Sequence, residues 1–250
     1  MEDREVLNDA VKPYNKEVDK TSQLRDMFNT ISQDYDFFNN LMSWGLAHRW
    51  RRKAMAWLQP YEHNHLLDIA TGTADMIVLA EKLLQPQTMI GVDIAEDMLK
   101  IGRKKLEEHH LSTKAVLETG DCAALPYDNE RFDLVTISFG LRNLEKLSQS
   151  LHEIHRVLKP GGHFLIIEVN EPQQGLLAVL YRLYVRIYVL FAAQLLSKDK
   201  DAYKYLTQSM HVFPQGKALI DILKAMDFKL LKTTSFTFGV CSAYLLEKVD

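Results

Sequence analysis

The chain is short of several things, and each shortage excludes a class of protein. Its 250 residues hold two cysteines, Cys122 and Cys241, far apart and without CxxC spacing. No disulfide framework or zinc ribbon is expected from them, and both read as reduced thiols. Neither sign of charge prevails, since 30 basic against 33 acidic side chains leave a formal net charge of −3. A nucleic-acid binder is usually strongly basic or carries a basic stripe, so no nucleic-acid partner is expected. Histidines at metal-binding spacing are missing too. His152 and His155 are three apart, whereas HExxH needs a separation of four, and His63/His65 and His109/His110 have no suitable partners. No metal is expected. Repeats and low-complexity tracts are absent. Residues 1–20 are polar, mixed in charge and lack the apolar segment of a secretion signal. They read as a flexible or loosely docked leader on a cytoplasmic protein.

What is present is an ordinary folded composition, 47% hydrophobic and 25% charged, long enough to bury a core without covalent staples. Residues 21–60 are aromatic and helical in character and are closed by Pro60, so they read as a helical lid region. From residue 61 onward the pattern changes. Apolar runs at 65–70, 88–94, 115–119, 132–139 and 163–169 read as strands, with helices at 75–84, 95–108 and 144–158 between them. That alternation predicts parallel βαβ units around a buried sheet. After Pro172 a helical insertion is expected over about 173–212, then a helix at 215–226. Two last runs, 228–236 and 240–248, are too close together to enclose a crossover helix, so they should form an antiparallel hairpin at the sheet edge. The expected fold is α/β, a mostly parallel seven-stranded sheet ending in that hairpin.

The most informative stretch is Leu66-Leu67-Asp68-Ile69-Ala70-Thr71-Gly72-Thr73-Ala74-Asp75. An apolar strand runs into a turn of small residues that opens a helix, where backbone can approach a ligand and free N–H groups are available. Asp93 follows about twenty residues on, where an acid at the tip of the second strand grips ribose hydroxyls. The dinucleotide fingerprint GxGxxG fails, because Gly72 is followed by Ala74 and then Ile77. The D-x-x-x-G-x-[GA] loop instead resembles the glycine loop of class I methyltransferases. Thr119-Gly120-Asp121-Cys122-Ala123-Ala124-Leu125-Pro126 looks like the adenine-contacting loop of that class, and Phe132-Asp133-Leu134-Val135 like the start of its fourth strand.

Ser138-Phe139-Gly140-Leu141-Arg142-Asn143 is more specific. With Arg156-Val157-Leu158-Lys159-Pro160-Gly161-Gly162 and Glu168-Val169-Asn170-Glu171-Pro172, it closely resembles the ubiquinone/menaquinone biosynthesis C-methyltransferases. The resemblance extends over nearly all of the chain after the leader. It includes Met27-Phe28, Ile31, Tyr35-Asp36, Asn39, Ser43, Gly45 and Trp50-Arg51 early on, and Tyr203, Tyr205-Leu206, Ser209 and Phe213-Pro214 late. It implies a Rossmann-like fold, S-adenosylmethionine as cofactor, and methylation of a carbon on a polyprenylated quinol, with demethylmenaquinol preferred as the acceptor. A benzoquinol, another hydrophobic acceptor, and a scaffold that binds cofactor without turnover are the alternatives.

By position the resemblance makes Thr73, Asp93, Asp121, Cys122 and Ser138 cofactor contacts, with Asp68 and Gly72 shaping the loop. Arg142 is the expected cation beside the reacting hydroxyl, and Tyr35 and Asp36 belong to a lid over the substrate. Ala47, Phe238 and Tyr244 depart from the family pattern, which has His, Gly and His there.

Residues 176–196 are nearly apolar, but Arg182 and Arg186 lie near the middle of the run. Each arginine at bilayer depth costs roughly 2.5 kcal/mol or more. A helix on a membrane surface, one roofing a tunnel for an isoprenoid tail, and a buried core helix with outward-reaching arginines are the readings left open. The basic run His48, Arg49, Arg51, Arg52 and Lys53 suits either anionic headgroups or a solvated helix face. Oligomeric state stays open, a homo-oligomer included.

Overall fold

The apolar runs of the sequence form the strands of one seven-stranded sheet. The computed structural model describes residues 11–14, 17–172, 175–184 and 199–249. Helix α1 (Lys20–Ser43) and helix α2 (Leu46–Met55) come first. The alternating section follows as β1 (His65–Ile69), α3 (Asp75–Leu83), β2 (Thr88–Asp93), α4 (Glu96–Glu108), β3 (Ala115–Thr119) and β4 (Phe132–Ser138). Then come α5 (Leu147–Val157), β5 (Leu158–Val169), α6 (Gly175–Tyr184), α7 (Lys200–Val212), α8 (Lys217–Lys224), β6 (Phe228–Phe236) and β7 (Cys241–Lys248).

Strand order is β3-β2-β1-β4-β5-β7-β6. The first five strands pair in parallel, whereas β7 pairs antiparallel with both β5 and β6. This is the expected sheet and the expected hairpin, with β6 on the edge. Neighbouring residues of β1 enter opposite cores: Leu66 joins Trp50, Ile77 and Leu165, while Leu67 joins Val135, Leu151 and Phe164. Burial on both faces explains why the central strands read as unbroken apolar runs. A third cluster fastens α1 to the domain. Leu24, Met27 and Ile31 pack on Ala95 and on Met98 of α4, and on Ala202, Tyr205 and Leu206 of α7.

Two boundaries differ from expectation. The helix expected at 144–158 starts at Leu147, because residues Leu141–Asn143 close into a separate 3-10 turn. The strand expected at 163–169 starts at Leu158, through Pro160, Gly161 and Gly162, which read locally as a turn. Leu158 pairs with Phe132 and His163 with Leu134, so the register shifts around those residues. Of the expected helical insertion, α6 and α7 are described, and 185–198 lie outside the described residues. No described helix is long and apolar enough to cross a membrane.

Candidate active site

Strand order reverses between β1 and β4, and open α/β sheets place their ligands at that point, beyond the carboxyl ends of the strands. Two adjoining cavities lie here. The first is lined by Gly72 of the loop after β1, Asp93 at the end of β2, Asp121 and Cys122 after β3, and Ser138 and Phe139 at the end of β4. Asp93 is held by backbone. Its Oδ2 accepts from Gly72 N at 2.8 Å and its Oδ1 from Ala95 N at 2.9 Å. Burial pushes its carboxyl above the ordinary range, and the amides of Ala95, Gly72 and Ile94 oppose that shift. Asp121 accepts from Ala123 N at 2.9 Å. Burial raises the Cys122 thiol far above its ordinary value, so Cys122 is an inert wall and not a nucleophile.

Close approach explains the glycines of this region. A Cβ on Gly91 would lie 2.6 Å from Leu117 Cδ2 and 2.7 Å from Thr71 Oγ1. One on Gly140 would lie 2.5 Å from the Ala70 Cβ, across the β1–β4 junction. Beneath the loop, Asp68 accepts from Thr71 Oγ1 at 2.7 Å and Thr136 Oγ1 at 2.6 Å. Burial pushes Asp68 up to about 6, against the pull of those hydroxyls. Asp68 thus fastens the loop to β4 from below.

The second cavity is lined by Asn39, Ser43, Ala47, Trp50, Arg142 and Tyr181 among others, and it shares Tyr35 and Phe139 with the first. Helix α1 roofs both. Thr21, Phe28 and Tyr35 are seven apart and face the first cavity, while Tyr35, Asn39 and Ser43 are four apart and face the second. Those spacings keep all five on one helix face. The start of α1 is clamped by Glu145, which accepts from Lys20 N at 2.8 Å, Thr21 N at 3.0 Å and Thr21 Oγ1 at 2.6 Å. Burial raises the Tyr35 phenol above its ordinary pKa, with Asn39, Arg51 and Arg142 opposing, so it stays protonated at neutral pH.

Arg142 stands on the 3-10 turn directly after β4, with 7% of its side chain exposed. Its Nη1 donates to Glu168 Oε1 at 2.5 Å and to Phe139 O at 2.6 Å, and its backbone N donates to Glu168 Oε2 at 3.2 Å. Among the described residues the buried Arg142 Nε has no hydrogen-bond partner. A buried donor left without a partner is costly, and Arg142 itself lines the second cavity.

The other expected residues divide. Asp93, Asp121, Cys122, Ser138 and Gly72 converge on the first cavity, and Tyr35 faces both. Thr73 and Asp36 line neither. Thr73 Oγ1 donates to Asp36 Oδ1 at 2.7 Å, and Lys105 Nζ reaches Asp36 at 2.9 Å and Asp75 at 2.6 Å. The Asp36 carboxylate is therefore committed to tying α1 to the loop and α4. Of the departures, Ala47 lines the second cavity, the buried Tyr244 hydroxyl accepts from Gly216 N at 3.2 Å, and Phe238 is exposed.

Arg51 corrects the sequence reading. It belongs to the basic run that suits headgroups or a solvated face, but it is buried, whereas His48, Arg49, Arg52 and Lys53 are exposed. Its Nη1 pairs with Asp75 Oδ2 at 2.7 Å, its Nε donates to Ser138 Oγ at 3.0 Å, and its guanidinium lies 4.8 Å from the Phe139 ring centre. Burial works against the Asp75 carboxylate, but the Arg51 and Lys105 cations outweigh it and hold its pKa below the ordinary value. A signal was available: the buried residues of α2 are Ala47, Trp50, Arg51, Ala54 and Met55, a helical apolar stripe with an arginine on it.

Comparison with known proteins agrees with this geometry. A solved [4+2]-cyclase, SpnF, superposes with a TM-score of 0.68 at 14% identity, covering 92% of this chain and 96% of its own. A SAM-dependent methyltransferase from Thermotoga maritima gives 0.60 at 18%, covering 90% and 99%. Such likeness speaks for the fold alone, and a cyclase beside a methyltransferase shows that fold does not fix the reaction. Sequence says more. A demethylmenaquinone methyltransferase of Bacteroides fragilis is 38% identical over 240 residues, 96% of this chain and 98% of that protein. A ubiquinone/menaquinone biosynthesis C-methyltransferase of Geobacter sulfurreducens is 36% identical over 231 residues, 92% of this chain and 90% of that one. Residues 16–248 match the model of the ubiE/COQ5 methyltransferase family, and the chain belongs to that family.

Proposed function

We propose that the chain transfers a methyl group from S-adenosylmethionine to a ring carbon of a polyprenylated quinol, demethylmenaquinol before others. The observation that carries this reading is the pair of cavities sharing Tyr35 and Phe139, with the buried cation Arg142 among the residues lining the more apolar one. A donor and an acceptor in contact need such a pair, because alignment converts a bimolecular step into an intramolecular one. The residues of the first cavity suit the cofactor. Asp93 is an acceptor for ribose hydroxyls, Asp121 is a polar group for the adenine side, and Val92, Ile94, Met98 and Cys122 supply flat apolar walls. Bound there, S-adenosylmethionine supplies a methyl group already activated as a sulfonium.

The chain's own task is then orientation and charge. A quinol whose hydroxyl has given its proton to a base carries electron density on the adjacent ring carbon. That carbon would take the methyl as S-adenosylhomocysteine leaves, the ring C–H proton then being lost to restore the aromatic quinol. We assign Arg142 as the group whose guanidinium N–H would donate to the hydroxyl oxygen and stabilise its charge. Trp50, Phe139, Tyr181 and Tyr184 present apolar ring faces to the acceptor. The test is methyl transfer from labelled S-adenosylmethionine to reduced demethylmenaquinol and, separately, to the demethylated benzoquinol. Turnover of the naphthoquinol at a clearly higher kcat/KM supports the reading. Turnover of neither, with cofactor bound, overturns it.

The same reading includes a membrane surface as the source of the lipid, through 176–196. Helix α6 presents Tyr181 and Tyr184 to the acceptor cavity, while Val179 and Leu183, four apart on one face, are 55% and 51% exposed. An apolar helix face beside a lipid-binding cavity suits peripheral contact, and the exposed basic side chains of α2 suit anionic headgroups. Sedimentation with phosphatidylglycerol-containing vesicles is expected to carry the protein down. Val179→Asp with Leu183→Asp is expected to lower the bound fraction several-fold while leaving methylation of a short-tailed naphthoquinol intact. Equal binding by the double variant would remove α6 from the contact.

A further inference from the structure

Arg51 is an expensive residue to keep on a buried helix stripe, since a leucine or methionine there would pack without desolvating a charge. Its contacts explain the choice. One nitrogen pairs with Asp75 at the start of α3 and a second donates to Ser138, while the flat face lies over Phe139. A planar fork satisfies three such partners at once, which an ammonium cannot. Both Ser138 and Phe139 line the first cavity, and Phe139 is also a wall of the second. Phe139 has φ +63°, a conformation a bulky side chain adopts only when its surroundings hold it there. Arg51 is one of the holders, and the bond from Phe139 N to Ile167 O at 2.8 Å is another. On the far side, Asp75 is shared with Lys105, which also binds Asp36 of α1 and Thr73 of the glycine loop. The chain of polar contacts thus runs from the lid through the glycine loop and α3 into α2, whose Ala47 and Trp50 line the second cavity.

We infer that Arg51 is a positioning residue that couples the two cavities, so that ordering the first by cofactor also orders α2 and the wall of the second. This rests on reading the cavities as donor and acceptor sites. The coupling is reciprocal, because any interaction free energy between two sites acts equally on both ligands.

The test needs no quinol, so its outcome is separate from that of the methylation assay. S-adenosylhomocysteine alone is added to the full-length protein and amide hydrogen exchange is followed. In wild type it is expected to slow exchange in residues 70–74 and, by about fivefold, in residues 46–55 of α2. In Arg51→Gln the loop is expected to remain protected while α2 no longer responds. Arg51→Lys keeps the charge for Asp75 and loses the fork, and it is expected to show a weakened α2 response. The same comparison is read in that variant if Arg51→Gln does not fold. A wild-type α2 indifferent to S-adenosylhomocysteine, or an α2 that responds equally in the variants, overturns the inference. A residue serving structure alone would change the starting exchange of α2 but not its response to the ligand.

Discussion

Arg142→Ala is expected to lose both stability and catalysis, and Arg142→Lys to separate the two. The alanine variant leaves Glu168, 1% exposed, as a buried carboxylate without its cation. Removing one member of a buried pair costs about 3–5 kcal/mol, a large share of the stability of an ordinary domain. Loss of activity in that variant therefore proves little. Lysine keeps a positive charge within reach of Glu168 but has nothing in place of Nε, the donor without a partner among the described residues. Arg142→Lys is expected to melt within a few degrees of wild type and to lose about 10²- to 10³-fold in kcat, the magnitude seen when one donor to a developing oxyanion is removed. Its KM for S-adenosylmethionine should stay put, because Arg142 lines the second cavity and not the first, the one we propose for the cofactor. Stopped-flow or steady-state methylation with thermal melts of both variants decides the matter. If Arg142→Lys turns over near the wild-type rate, Arg142 serves to neutralise Glu168 and the catalytic assignment falls.

Asp93→Ala is expected to weaken S-adenosylmethionine binding by about two to four decades. Two charge-assisted hydrogen bonds to ribose hydroxyls, at about 1.5–3 kcal/mol each, account for a loss of that size. Asparagine is no milder here. Each carboxylate oxygen accepts a backbone N–H, from Gly72 and from Ala95, so an amide nitrogen on either side would set donor against donor. Asp121→Ala, which touches the cavity beside its bond to Ala123 N, should cost about tenfold. Calorimetric titration with S-adenosylhomocysteine measures all three. An Asp93→Ala affinity within about threefold of wild type would reduce Asp93 to a brace between Gly72 of the loop and Ala95 before α4.

The parts of this site legible in the sequence are those where the backbone itself imposes the choice. Gly91 and Gly140 stand where a single added carbon would overlap a neighbour, and Asp93 ends a strand whose length sets its place. Local patterning gave the sheet for the same reason, since strands buried on both faces have to be apolar throughout. What stayed hidden depends on distant partners. Arg51 looks like one more cation in a basic run until Asp75, in another helix, neutralises it. Asp36 looks like a lid residue until Lys105 claims its carboxylate. The early start of β5 stayed hidden too, because Pro160 and Gly161 signal a turn, whereas pairing of Leu158 with Phe132 makes the segment strand.

The stripe along α1 sets the terms on which this enzyme can be redesigned. Thr21 and Phe28 face the first cavity, Asn39 and Ser43 face the second, and Tyr35 faces both. The size of the second cavity is therefore adjustable at positions 39 and 43, which do not line the first, whereas Ala47 stands on α2, the helix that the proposed coupling reaches. A change at Tyr35 or Phe139 alters both volumes together, so a library that fixes those two and varies positions 39 and 43 explores the second cavity alone.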